Sequence, residues 1–111
     1  MKKSLLVILC FLLFIQICFG GHGSGLITRL YVHSGSSKRG PVVMFAVKKH
    51  IENLRCSGHQ WAFKINTDIG KAWYALLLSA AAQQKPVIIR GRNDCKDWPN
   101  RERPRWIRID Y

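Results

Sequence analysis

Acidic residues are scarce in this chain: 6 Asp and Glu stand against 18 Lys and Arg in 111 residues, a formal charge of +12. Glu52 and Glu102 are its only glutamates, and no histidine stands at a recognisable spacing from either. There is no glycine-rich phosphate loop, no serine nucleophile elbow and no His-Glu-x-x-His, which removes the nucleotide-binding, serine-hydrolase and zinc-protease readings that rest on such motifs. No internal repeat, low-complexity tract or linker interrupts the sequence. The length leaves room for one domain, so a cofactor module joined to a substrate module is excluded.

Long apolar runs are also missing, with one exception. Residues 1–20, MKKSLLVILCFLLFIQICFG, have two lysines, an apolar stretch from Leu5 to Ile15, a polar break at Gln16, and small residues at Cys18 and Gly20. That order reads as a secretory signal peptide cut near Gly20. As a membrane anchor, residues 4–19 fall short of the roughly 20 residues that span a hydrocarbon core. Lipidation is disfavoured because Cys10 follows Leu9 and Cys18 follows Ile17. The expected product, 21–111, loses two lysines and keeps 16 basic and 6 acidic side chains, a formal +10. It is expected outside the cytoplasm, secreted or periplasmic, without a stable membrane anchor.

Two cysteines then remain, Cys56 and Cys95, in a compartment where thiols oxidise. One disulfide is expected, and closing a loop of that length restricts the unfolded chain by roughly 3–4 kcal/mol. The rival, Cys56-x-x-His59 as half of a metal site, lacks a second half at ligand spacing. Neither a metal nor a cofactor is expected.

Apolar and β-branched residues predict strands at 26–33, 41–48, 60–66, 86–91 and 105–111. In the first, Leu26, Leu30 and Val32 share one face, and Arg29, Tyr31 and His33 the other. Ser34-Gly-Ser-Ser-Lys-Arg-Gly40 is turn chemistry, and 48–60 reads as an exposed loop holding Cys56. Residues 68–84 predict a helix of about 16 residues, capped by Thr67 or Asp68 and stopped by Pro86. Ile69, Trp73, Leu76, Leu77 and Ala80 form its inner side. Ala72, Ala75, Leu78, Ala81 and Ala82 leave little polar surface, so the helix is expected to be covered on more than one side. Five strands with one helix after the third give a mainly β, α+β chain in the order of a five-stranded OB-fold-like barrel.

The block DIGKAWYALLLSAAAQQKPV at 68–87, preceded by WAFKIN at 61–66 and followed by Cys95, resembles small secreted bacterial proteins similar to the B subunit of subtilase cytotoxin. The resemblance covers most of 25–111. It implies an OB-fold, assembly into a pentamer, binding of cell-surface glycans, and a separate catalytic A subunit as partner; the apolar surface of helix 68–84 is the expected contact of such a homo-oligomer. No sugar-binding residue of those toxins matches a position here, and a charge of +10 departs from their pattern.

Surface chemistry therefore has to be read from the residues themselves. Arg90, Arg92, Lys96, Arg101, Arg103, Arg105 and Arg108 are interleaved with Trp98 and Trp106. Forked guanidinium groups suit phosphate, sulfate and carboxylate, and indole faces stack on bases or on the apolar faces of sugars. These nine residues are the expected binding set, for an acidic glycan or else for a single-stranded nucleic acid. A periplasmic partner-binding or inhibitory role is the third reading. Lys38, Arg39, Lys48, Lys49 and Arg55 are a second basic group. His22, His33, His50 and His59 are acid–base candidates, with a secreted ribonuclease the nearest enzyme class. They are read instead as surface residues, His22 in a mobile Gly-rich N-terminus, and no catalytic residue is expected.

Overall fold

The computed structural model describes residues 20–53 and 55–111. Of the expected signal segment, 1–19 lie outside the described residues. The described residues are mainly β with one helix: β1 (His22–His33), β2 (Val42–Ile51), β3 (Trp61–Lys64), α1 (Asp68–Gln83), β4 (Val87–Gly91) and β5 (Pro104–Ile109). Every strand pairing in the five-stranded sheet is antiparallel, and the order is β3-β2-β1-β4-β5. The outer strands β3 and β5 are not ladder neighbours. One parallel bridge, Trp61 to Glu102, brings the two edges together, with the Ala62 N–H donating to the Glu102 carbonyl at 3.1 Å.

The main core lies between one face of this sheet and α1. Val43, Phe45, Trp61, Phe63, Val87, Ile89 and Ile107 pack against Trp73, Leu77 and Ala80 of the helix. Phe63 meets Phe45 and Trp73 edge-on, at centroid distances of 6.1 and 5.3 Å, an arrangement aromatic quadrupoles favour. β2 is buried on both faces: Val42 and Met44, with Ala62, form a second small core beneath Trp98. This two-sided burial is why residues 42–45 are an unbroken apolar run.

The helix forms as its sequence predicts. Thr67 Oγ1 accepts the Gly70 N–H at 3.0 Å. At the other end Gln84 turns left-handed (φ 51°), and the Gln84 and Lys85 N–H groups return to the Ala81 and Ala80 carbonyls. Gly70 is fixed by contact, since a Cβ there would overlap the Lys64 carbonyl. Ile69 departs from expectation: it is 53% exposed, and Gly70 takes the inward place beside Trp73 and Leu77.

Several strand limits also differ. β1 begins at His22, a residue expected in a mobile Gly-rich N-terminus, and it pairs with β2 and β4 at once. Gly23 has a packing role there, because a side chain would press on the Trp61 indole. β1 carries two register shifts, between Ser24 and Ile27 and between Ile27 and Arg29. The bulges break the two-residue period, so that Ile27 and Leu30, three residues apart, both reach the core; Val32 keeps the expected face, opposite Val43, but is 44% exposed. β2 runs on to Ile51, three residues into the expected loop. β5 starts at Pro104 and ends at Ile109.

Candidate functional site

The outward face of the sheet is set by register. One cross-strand row runs Ile51, His22, Arg90, Trp106; the next runs Lys49, Ser24, Ile88, Arg108. On the opposite face the intervening rows bury Gly23, Ile89 and Ile107, and then Val87. The alternation of buried and exposed residues in β4 and β5 therefore delivers Arg90, Trp106 and Arg108 to one surface. The Arg108 guanidinium lies over the Trp106 ring, 5.3 Å from its centroid, within cation–π range. Its Nε also forms an ion pair with Asp110 Oδ1 at 2.9 Å, where both side chains are more than half exposed, so solvent screens the pair. Trp106 is 37% exposed.

The other members of the expected set fall elsewhere. Arg103 is held by Asp94, with Nε and Nη2 donating to the two carboxylate oxygens at 2.7 and 2.8 Å. Its hydrogen bond holds the Asp94 carboxyl below the usual carboxylate range, and Asp94 in turn raises Arg103. Arg101 donates to Gln60 and to the Asn100 carbonyl. Trp98 covers Val42, Met44 and Ala62, with the His33 ring 4.8 Å away and the Arg39 guanidinium 5.8 Å away. Lys96 and Arg105 are exposed. Arg92 is also exposed and lines a shallow cleft with Lys64, Trp73, Asp97 and Arg103. The nine residues thus divide between an open sheet face and a structural loop, rather than forming one patch. Of the second basic group, Arg39 joins Trp98 and Lys49 borders the open face, so the group does not act as one surface.

The loop 92–103 owes its conformation to long-range ties. The Cys56–Cys95 disulfide spans a Cα separation of 5.7 Å and joins this loop to the β2–β3 loop. Asp97 accepts the Lys64 N–H at 3.1 Å, and the Asn100 carbonyl accepts the Gly58 N–H at 2.9 Å. The disulfide expectation is met.

Sequence spacing did not bring His59 to Glu52, but folding does. His59 Nδ1 lies 2.6 Å from Glu52 Oε1, a contact that is an ion pair when the imidazole is protonated and that makes no hydrogen bond. The His50 ring packs on Trp61 at 4.9 Å and stands 6.2 Å from the His59 ring. Both His50 nitrogens are buried without a hydrogen-bond partner. Burial lowers the His50 pKa, with Glu52 opposing and His59 reinforcing the shift, so the ring is neutral at neutral pH. His22 lies on the open face opposite Arg90. Among the described residues, no group of three or more His, Cys, Asp or Glu side chains is arranged to hold a metal ion, and no helix is long and apolar enough to cross a membrane.

Comparison with known proteins gave no match to a family model, to a curated protein or to a solved structure.

Proposed function

We propose that the protein is an exported, non-catalytic binding module whose β4–β5 face takes an anionic glycan, on a small barrel of the OB-fold type like that of the toxin B subunits it resembles. The observation carrying this reading is the row-by-row placement of Arg90, Trp106 and Arg108 on one exposed sheet face. The two guanidinium groups suit the carboxylate or sulfate of an acidic sugar, and the indole between them suits its apolar face. The barrel assignment draws support from the strand order, from the helix placed between β3 and β4, and from the parallel bridge joining the outer edges. Ile69 and Leu78, 53% and 46% exposed on α1, favour a homo-oligomer, with a five-membered ring as the form the resemblance implies and an A subunit as its partner.

A glycan array read over a salt series tests the proposal. Binding of acidic glycans that weakens as salt rises is the expected result, with Trp106→Ala and the Arg90→Ala/Arg108→Ala pair each lowering affinity about tenfold or more. Absence of binding to every acidic glycan at low ionic strength would overturn it. Displacement of the glycan by single-stranded DNA at lower concentration would transfer the face to nucleic acid. Native mass separates a pentamer from a monomer, and a monomer removes the ring.

A further inference from the structure

Glu102 is a fully buried carboxylate, a group that is costly to remove from water unless it is paired and hydrogen-bonded. Both of its oxygens accept the N–H of Gly21, at 2.9 and 3.0 Å, and Oε2 also accepts the N–H of Asn93 at 2.8 Å. The ion pairs among the described residues are His59–Glu52, Arg103–Asp94 and Arg108–Asp110, and none includes Glu102. Glycines make the enclosure. A Cβ on Gly91 would overlap Oε2, and one on Gly21 would overlap Oε1. Gly21 is itself buried, and its carbonyl accepts the Gly91 N–H at 2.8 Å. The atom gripped by both carboxylate oxygens is thus the nitrogen of the residue that follows the expected cut at Gly20.

We propose that Glu102 is the receiving site for the amino terminus of the processed chain: hydrolysis of the Gly20–Gly21 bond frees an α-ammonium at Gly21, and that cation becomes the buried partner of the carboxylate. The proposal rests on the export reading for the existence of the cut, and it is independent of what the β4–β5 face binds. An endopeptidase of the export machinery supplies the cleavage and water is the co-reactant. The hydroxyl adds to the Gly20 carbonyl carbon, which leaves as the carboxylate of the released segment. The proton goes to the Gly21 nitrogen, which takes one more from solvent, and nothing is oxidised or reduced. In the uncut chain a single amide proton is shared between two carboxylate oxygens. The freed terminus brings three N–H donors and a full charge to the same place, and charge-assisted hydrogen bonds are the stronger kind. A cut one residue later would remove the nitrogen that Glu102 holds. A cut one residue earlier would leave an amide there.

The test uses the full chain with its own residues 1–20, expressed in a secreting bacterium. Intact mass and amino-terminal sequencing of the recovered protein are expected to place the first residue at Gly21. Amine acylation near neutral pH is then expected to label the Gly21 α-amine at least about tenfold more slowly in the native protein than in the same protein unfolded in urea. Glu102→Gln should bring that rate to within about twofold of the unfolded value while the lysines react unchanged. If Glu102→Gln does not accumulate folded, the native and urea rates of the wild-type protein decide alone. An uncut chain, a first residue other than Gly21, or a native α-amine labelled as fast as in urea overturns the proposal. Glycan titration reads the binding proposal separately, and its failure leaves the first residue and the labelling rate unmoved.

Discussion

The loop 92–103 and the outward face of β4–β5 have nearly the same composition, arginine with tryptophan, and opposite fates. In the loop, Trp98 roofs a small core, Arg103 is locked to Asp94 and Cys95 is bonded to Cys56. On the face, Arg90, Trp106 and Arg108 are carried by a ladder whose stability comes from Ile89, Ile107 and Val87 beneath it. Side chains of the first kind hold the fold together. Those of the second are held by it and remain available to a ligand. What separates the two is the register of the chain around each residue, because density of charge and aromatic area is common to both.

Removing the disulfide should have the largest effect on this contrast. Cys56→Ser with Cys95→Ser is expected to cost about 2–5 kcal/mol of unfolding free energy in a denaturant titration, because it frees the loop and leaves the face in place. The two tryptophans come next. Trp98→Ala, which uncovers Val42 and Met44, should destabilise by about 2–3 kcal/mol, whereas Trp106→Ala should lie within about 0.5 kcal/mol of the parent. Equal losses from the two would dissolve the distinction.

Two smaller effects depend on pH. His50 is held below its ordinary pKa by burial, so the unfolded chain binds the proton more readily. Stability is then present above the unfolded pKa of about 6.5 and falls as pH drops through that value toward the folded one. His50→Phe, read by thermal melts between about pH 7 and 5, should flatten this slope. Asp94 is depressed mainly by its hydrogen bond to Arg103. Its contribution is present above the unfolded pKa of about 3.8 and is lost as pH falls through the lower folded value. Solvent screens this partly exposed pair, so Arg103→Ala should cost under about 1 kcal/mol and weaken the acid dependence below pH of about 4.

Much of the fold was legible in the sequence because its signals are local. The cap at Thr67, the stop at Pro86 and the alternation of Trp61, Phe63 and Ile65 with Ala62 and Lys64 are each set within a few residues. The bulges in β1 were not legible, since a Gly-Ser-Gly segment carries almost no period and is recruited into the sheet by Gly23 fitting against Trp61. Within the candidate site, Arg90, Trp106 and Arg108 could be named, but their separation from Arg103 and Trp98 could not. That separation follows from Asp94, Asp97 and Cys95 each finding a partner, of which only the Cys56 pairing had a sequence signal. The burial of Glu102 left no trace either, because its partners are the backbone nitrogens of Gly21 and Asn93.

The bulged half of β1 has a consequence for crowding. From Ile27 to His33 the pairing given to this strand is with β2 alone, since β4 reaches only Gly25. A regular strand with one open side invites a second molecule to zip onto it. Here the two kinks interrupt the strand before Arg29, and the exposed Arg29 sets a like charge against an approaching copy. An edge-to-edge pair of two copies would therefore have to bring two Arg29 side chains together.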